Sequence, residues 1–189
     1  MSDSMRFSRA VGSRHAGVLA LQEANLFDNL AGDARADGYL SARFTQAQFE
    51  RMNSDVAVIT ATDGERVAGY LCASSVAFNR QFPLLAAMIE RYPEVSFRGR
   101  LLAEQNTFVY GPVCVARSDR GSGVLRGMFD ALMREIAGRF DAGVCFVAAG
   151  NTRSLAAHEH GLGMQRVAEF EFQQRSYHIL AFDVPAVHA

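Results

Sequence analysis

Two glycines between a strand and a helix form the most chemically suggestive part of the sequence. The segment 120–125, Arg-Gly-Ser-Gly-Val-Leu, follows the apolar run 113–115 and begins a helical pattern. Amide N–H groups in the first turn of a helix have no partners within the helix and lie at the positive end of its dipole. Glycines also let a ligand approach the main chain closely, so the turn suits a pyrophosphate. Arg117, Arg120 and Arg126 add positive charge nearby.

Other phosphate-binding motifs fit this turn less well. A P-loop needs a lysine directly after its last glycine, and none follows Gly123. The residues 121–127 fit a GxGxxxG variant of the dinucleotide-binding motif. However, the next strand, 144–148, ends in Ala149-Gly150, without the acidic residue that would bind a ribose. The alternative that the glycines only form a tight turn, with no ligand, stays open.

A second group of polar residues follows the next predicted strand. Asn151, Ser154 and His158 are spaced i, i+3 and i+7, so they share one face if the segment 151–160 is helical. His158 and Tyr177 are candidates for a general acid, although each could equally be structural. The histidines of His158-Glu159-His160 lack the i, i+4 spacing of a zinc helix, so we expect no metal site. The sequence does not select a general base among Glu23, Glu104 and a chain of waters.

The cysteines give little indication of chemistry. Cys72, Cys114 and Cys145 each stand alone in apolar surroundings, without CxxC or metal-ligand spacing, which is typical of reduced core thiols in a cytosolic protein. Cys114 lies in the strand before the glycine turn and is therefore a candidate nucleophile. No activating base stands beside it, and a buried thiol is usually inert.

The elements that must position these residues can be predicted from hydrophobic periodicity and turn residues. The opening strand and helix are followed by a loop, a second helix capped by Thr45, and a hairpin whose turn contains Asp63-Gly64. A long connection, 78–105, holds its own helix. The strand-helix-strand crossover after it implies a parallel pair of strands. The predicted strands are 5–10, 56–60, 67–74, 107–116, 144–148, 166–173 and 177–184, and the predicted helices are 13–26, 45–52, 83–91, 123–137 and 151–160.

Composition limits the class of protein. With 189 residues, 49% of them hydrophobic, the chain fits one globular domain, 1–189, with a helical insertion at about 78–105. The 19 basic and 20 acidic residues give a net charge of −1 and form no long block of one sign, which argues against nucleic acid and a polybasic membrane anchor. No window approaches the ~18 consecutive apolar residues of a membrane span. We therefore expect a cytoplasmic protein.

The two polar motifs together resemble those of the GNAT family of N-acetyltransferases. Residues 120–125 match the family's [QR]xxGx[GA] motif, with Leu125 in place of its small final residue. Residues 151–164 resemble the family's helix that begins with Asn and ends in Gly-Phe, with Met164 for Phe. This second segment is one residue longer than the commonest family spacing, and Gly161 is the expected extra residue. The order of predicted elements resembles the family over nearly the whole chain.

The resemblance implies a mixed, mostly antiparallel twisted sheet of about seven strands with a central parallel pair, flanked by helices. It also implies transfer of an acetyl group from acetyl-CoA to a small-molecule or peptide amine by direct attack. Pantetheine would lie along Val113-Cys114-Val115, where an amide of Cys114 or Val115 would bind the oxyanion. A non-catalytic acetyl-CoA sensor or interaction module of the same fold is the alternative, and homodimer formation stays open. The catalytic candidates are His158, Tyr177 and Cys114, and the implied cofactor-binding residues are Val113, Cys114, Val115, Arg120, Gly121, Ser122, Gly123, Val124, Leu125, Arg126, Asn151 and Ser154.

Overall fold

The computed structural model of the chain describes residues 5–31 and 38–186. They divide into two compact units. The first comprises the residues up to Ala73 together with Gly111–Glu135, and the second comprises Ser74–Tyr110 and the residues from Ile136 onward. The prediction of a single domain with an insertion remains a prediction. Gly32, in the middle of the predicted loop after the first helix, lies outside the described residues.

In its described residues, the first unit combines an antiparallel sheet with three α-helices. Strands β1 and β3 flank β2 and pair with it in antiparallel register. A capping box starts α2, because the side chains of Thr45 and Gln48 each bind the other's main-chain amide. Val18, Phe49 and Met128 are almost completely buried and belong to its core. The elements are β1 (Arg6–Arg9), α1 (His15–Glu23), α2 (Gln46–Asp55), β2 (Ala57–Asp63), β3 (Arg66–Ser75, which ends in the second unit) and α5 (Val124–Ile136).

The second unit contains the parallel pair of strands. Residues 107–109 of β6 pair in parallel with residues 142–144 of β7, and β7 and β8 pair in antiparallel register with β9. The connection before β6 holds two short helices and a two-stranded sheet. The elements are α3 (Val76–Asn79), α4 (Pro83–Glu90), β4 (Ser96–Phe97), β5 (Arg100–Leu101), β6 (Thr107–Val115, which ends in the first unit), β7 (Ala142–Ala148), α6 (Thr152–Ala156), β8 (Gln165–Phe172) and β9 (Arg175–Asp183).

The strand topology confirms the predicted fold class. Hydrogen-bonded neighbours follow the order β1-β2-β3-β6-β7-β9-β8, and β6 and β7 form the central parallel pair. The helices over 13–26, 45–52, 83–91 and 123–137 are present with end residues shifted by a few positions. Among the described helices, none is both long and apolar enough to cross a lipid bilayer.

Two turns are tighter than the sequence predicts. The β2–β3 strands continue to Asp63 and Arg66, so the hairpin turn is shorter than the predicted 61–66 loop. The turn between β8 and β9 lies at Gln173 and Gln174, which have φ angles of 48° and 61°. The sequence predicts this turn near 174–176, so it lies slightly earlier than expected; non-glycine residues adopt this left-handed conformation uncommonly, and the types of these two residues did not mark its position.

Gly143 in β7 provides a test of how tightly the second unit is packed. A Cβ at this position would overlap the ring of Phe182, its cross-strand partner. That ring has little freedom to move, because Tyr110 and Phe108 pack edge-on against it, at centroid distances of 5.5 and 5.9 Å. We expect Gly143→Ala to lower the free energy of unfolding by about 1–3 kcal/mol, as measured by urea denaturation. Gly12→Ala is the control, since its Cβ would meet no atom within 4 Å. Equal free energies of unfolding for the two variants would contradict tight packing of Phe182 against Gly143.

Candidate functional site

The glycine turn of the first unit has an open main chain. Gly121 and Gly123 have φ angles of 79° and 87°, a conformation that glycine adopts without strain. Both are exposed, and a Cβ on either would meet no atom within 4 Å. Helix α5 starts at Val124, and the amide of Gly127 donates to the carbonyl oxygen of Gly123 at 2.9 Å. The residues just before this first hydrogen bond of α5, Gly121, Ser122 and Gly123, are exposed, and the N-terminus of a helix is where an anion finds main-chain donors.

Asp119 braces the turn through an ion pair that the sequence analysis missed. The guanidinium of Arg66 donates to both carboxylate oxygens of Asp119, at 2.7 and 2.9 Å. Ser118 Oγ donates to the same carboxylate at 2.6 Å, and Ser122 Oγ donates to the main-chain oxygen of Asp119 at 2.5 Å. Hydrogen bonds from Arg66 lower the pKa of Asp119 to about 2. The carboxylate is thus charged and paired at neutral pH.

Arg120, directly before the turn, forms hydrogen bonds to two protein oxygens. Its Nε donates to the carbonyl oxygen of Val115 at 3.1 Å, and one terminal nitrogen donates to Asn25 Oδ1 at 2.6 Å. The positive charge that the sequence suggested for a phosphate is therefore already engaged by protein oxygens. Arg126 lies 3.7 Å from Asp130 and over the Phe129 ring.

The first two residues of α5 differ in burial. Val124 is buried, whereas Leu125 is only half-buried. The branched side chain that departs from the family motif is therefore partly accessible rather than fully packed in the core. The main-chain amides of both residues lie in the first turn of the helix, ahead of its first main-chain hydrogen bond.

The strand before the turn contains Cys114, whose thiol is unsuited to nucleophilic attack. Cys114 is buried, and its Sγ lies 4.0 Å from the carbonyl oxygen of Leu21. Burial raises the pKa of this thiol to about 12, so it is protonated at neutral pH. Among residues 5–31 and 38–186, no contact of this thiol involves a base, so the geometry gives no support to covalent catalysis. Val113 and Val115 on either side are half-buried. The contact with pantetheine that the sequence predicts for this strand involves its main chain and not the Cys114 thiol.

In the second unit, Asn151 begins the helix that carries Ser154 and His158. Its Oδ1 accepts from the amide of Ser154 at 3.4 Å, and its own amide donates to Ala148 O at 2.8 Å. The side chain of Asn151 therefore serves as a helix cap. This connects the end of β7 directly to α6 and fixes where the helix starts.

The extra residue of this helix is accommodated as a π-helical turn. Helix α6 ends at Ala156, and residues Ala157–Gly161 continue it with π geometry. A π turn inserts one residue into an α-helix and is frequent at functional sites. The sequence predicts Gly161 as the extra residue, and Gly161 is the last residue of this π turn.

His158 lies in the π turn as a buried, neutral imidazole. Its Nδ1 is 2.7 Å from Ser154 O and 3.3 Å from Ser154 Oγ. A carbonyl oxygen can only accept, so Nδ1 carries the proton and the lone pair is on Nε2. Burial lowers the pKa of His158, and the ring packs edge-on against Tyr110 at 5.6 Å. This ring can accept a proton at neutral pH, but it is not protonated and ready to donate one, as a general acid would be.

The other candidates for proton transfer have less suitable surroundings. Tyr177 is buried and stacks on Phe170 at 5.3 Å, with Phe146 edge-on at 5.4 Å, which is the environment of a packing residue. Glu23 is exposed and paired with Arg43 at 3.1 Å, and Glu104 is exposed on a 3₁₀ turn. Within residues 5–31 and 38–186, no group of three or more His, Cys, Asp and Glu side chains could hold a metal ion.

Comparisons by sequence found no matching family profile and no matching curated protein. Solved structures do match. The ribosomal-protein-S18-alanine N-acetyltransferase of Escherichia coli superposes with a TM-score of 0.62 at 10% identity, over 97% of this chain and 96% of that one. A GNAT-family protein from Desulfovibrio desulfuricans gives 0.62 at 13% identity, over 96% and 99%. The protein yncA of Salmonella typhimurium, solved with its cofactor acetyl-CoA, gives 0.60 at 17% identity, over 98% and 96%. The chain therefore has the GNAT fold.

A charge placed on the glycine turn tests whether it binds an anion. We expect Gly123→Glu to weaken acetyl-CoA binding by at least about 100-fold in calorimetry. The new carboxylate would occupy the space beside the turn and would repel the negatively charged pyrophosphate. The matched control is Gly99→Glu, which carries the same charge at a glycine of similar φ, 77°, with equally open surroundings. If the two variants bind acetyl-CoA with equal affinity, the turn is not the binding site.

Proposed function

We propose that this protein is an acetyl-CoA-dependent N-acetyltransferase that acts on the amine of a small molecule or peptide by direct attack. The observation that carries the proposal is the open main chain at Gly121 and Gly123, where an added Cβ would meet no atom within 4 Å and the φ angles are those that glycine adopts without strain. The fold supports it, because a neighbour with this fold was solved with acetyl-CoA. Acetyl-CoA would supply the activated thioester carbonyl.

The first task of the protein is to hold the cofactor. The amides of Gly121, Ser122, Gly123 and Val124 would donate to the pyrophosphate, assisted by the dipole of α5. The half-buried main chain of Val113–Val115 would pair with pantetheine. An amide of Cys114 or Val115 would donate to the oxyanion, a contact that strengthens as negative charge develops on the oxygen.

The second task is proton transfer, which we assign to His158. The carbonyl of Ser154 holds the proton on Nδ1, so Nε2 is free to accept the proton that the attacking amine loses. Burial makes the resulting imidazolium unfavourable, so it readily gives up this proton. The leaving thiolate, whose conjugate thiol has a pKa of about 8.5, is a suitable acceptor. One residue can thus serve as base and then as acid.

A thiol-release assay tests the overall function. The purified protein is mixed with acetyl-CoA and a panel of polyamines, amino acids and peptides with free N-termini, and CoA thiol is measured against enzyme-free mixtures. We expect saturable release that depends on one class of amine. Binding of acetyl-CoA without release on any amine would favour a non-catalytic sensor of the same fold. Absence of acetyl-CoA binding would contradict both functions.

The pH dependence of the reaction tests the role of His158. A base must be neutral, so we expect the limb of kcat/KM that belongs to the base to lie below the ordinary imidazole pKa of about 6.5, since burial lowers the pKa of this ring. His158→Gln should reduce kcat by about 100-fold or more and remove this acidic limb.

Acetyl-CoA binding and any alkaline limb that belongs to the amine substrate should remain in His158→Gln. His160→Gln is the control, because His160 is exposed in the same π turn. An acidic limb that persists in His158→Gln would assign the base to another group.

A further inference from the structure

Glu159, which follows His158 in the π turn, is joined to β8 by a bidentate ion pair. Nε of Arg166 donates to one of its carboxylate oxygens at 2.9 Å, and a terminal nitrogen donates to the other at 3.1 Å. Hydrogen bonds from Arg166 lower the pKa of Glu159, and the same bonds raise the pKa of Arg166. Both groups are therefore charged at neutral pH. Two parallel hydrogen bonds fix the orientation of the guanidinium as well as its distance.

A β-bulge brings Arg166 and Glu169 onto one face of β8. The register with β9 shifts after Arg166, so that Arg166 and Glu169 lie opposite Leu180 and His178. Residues three apart on a regular strand project from opposite faces, because side chains alternate. Here both project from the same face, since their partners are two apart on β9. Bulges are over-represented beside active sites, where they redirect a side chain.

His178 on β9 lies between these two charged residues. Its Nε2 is 3.4 Å from a terminal nitrogen of Arg166, and its Nδ1 is 3.0 Å from a carboxylate oxygen of Glu169. A guanidinium can only donate, so Nε2 is the acceptor in its contact. Glu159, Arg166, His178 and Glu169 thus form a continuous network that joins the π turn to both strands of the β8–β9 hairpin.

The main chain of the π turn is also attached just before β8. The carbonyl oxygen of His158 accepts from the amide of Met164 at 3.0 Å, and that of Glu159 accepts from the amide of Gly163 at 3.1 Å. Strand β8 begins at the next residue. The side chain of Glu159 adds a second attachment, to Arg166. A turn that is held at two points has fewer ways to change the direction of the His158 ring.

We propose that Arg166 is a positioning residue for proton transfer: through Glu159 it holds the π turn, so that Nε2 of His158 stays in place to accept the proton of the amine. This inference rests on the proposed function, because it takes His158 as the base. A general base must lie within hydrogen-bond reach of the proton that it removes, so a small displacement of the ring lowers the rate. Arg166 acts here through Glu159 and not by contact with the reactants.

Steady-state kinetics and calorimetry on Arg166 variants test the inference. We expect Arg166→Gln to lower kcat by about tenfold and to leave the Kd of acetyl-CoA within about twofold of wild type, because the change affects the chemical step and not cofactor binding. Arg166→Lys keeps the charge but loses the paired hydrogen bonds, so its kcat should lie between those of wild type and Arg166→Gln.

The pH profile supplies a second readout. In Arg166→Gln, the acidic limb that belongs to His158 should move up toward the ordinary imidazole pKa of about 6.5, because a looser turn admits water to the ring and the unpaired carboxylate of Glu159 favours the imidazolium. Tyr110, which packs against the ring, stays neutral in this range because burial raises its pKa. A variant that only lowered the stability of the fold would keep the limb at its wild-type position.

Double variants show whether Arg166 acts through the two residues named. Once Glu159 is replaced by Gln, Arg166→Gln should lower kcat no further, because the ion pair is already broken. Arg166→Gln should also have no further effect in the His158→Gln protein, where the residue to be positioned is absent. If Arg166→Gln does not fold, Glu159→Gln replaces it in the kinetic test, since it breaks the same pair with a side chain of equal size.

The matched control is Arg98→Gln. Arg98 forms a bidentate ion pair with Asp183, the last residue of β9, at 3.3 and 2.6 Å, and both side chains are exposed. The control therefore breaks the same kind of pair in the same unit, away from the π turn. It should leave both kcat and the acidic limb unchanged.

The outcomes separate this inference from the function on which it rests. A wild-type protein that releases no CoA thiol with any amine contradicts the proposed function. An active wild-type protein that loses kcat in His158→Gln, while Arg166→Gln keeps full kcat, overturns the inference alone. The same holds if Arg98→Gln loses as much kcat as Arg166→Gln, or if the losses of Arg166→Gln and Glu159→Gln multiply in the double variant.

Discussion

The left-handed backbone of Gly121 and Gly123 is the constraint on which the candidate site depends. With φ angles of 79° and 87°, these residues lie in the connection between β6 and α5, directly before the first residue of α5, Val124. Any side chain at either position would be strained and would fill the space that a ligand needs. Hydrogen bonds within the first unit stabilise this conformation. Ser122 binds Asp119, Asp119 binds Arg66, and Arg120 joins Val115 to Asn25.

The second constraint is the π turn that carries His158. A single additional residue in the helix is accommodated at Ala157–Gly161. The carbonyl oxygen of Ser154, four residues before His158, accepts a hydrogen bond from the imidazole Nδ1. The same hydrogen bond that satisfies a buried donor therefore decides which ring nitrogen has the lone pair. Burial then favours the neutral ring. The hydrogen bond from His158 Nδ1 to Ser154 O thus fixes the ring within the helix and also leaves Nε2 as the acceptor that the proposed chemistry uses.

The sequence predicted the local parts of this arrangement and missed its long-range parts. The strands, most helices, the glycine turn and the face formed by Asn151, Ser154 and His158 follow from spacing within a few residues. The pairs Arg66–Asp119 and Asn25–Arg120 join residues that are 53 and 95 positions apart, and no local pattern indicates such partners. The tautomer and charge of His158 depend on burial, which spacing does not reveal. The sequence therefore predicted a general acid at a position where the structure has a buried imidazole whose pKa is lowered.

The pairing of the charged residues also changes how an anion would be recognised. Arg66, Arg120 and Arg126 each contact a protein oxygen, so their charges are partly balanced within the chain. Asp119, a carboxylate two residues from Gly121, would repel an anion if Arg66 did not neutralise it. With these charges paired, the main-chain amides and the dipole of α5 provide the directed attraction at the turn. Hydrogen bonds of this kind depend on the position of each ligand oxygen, whereas exposed arginines would attract any anion and lose strength with salt. Under the proposed function, the turn would therefore select the shape of its ligand more than its charge.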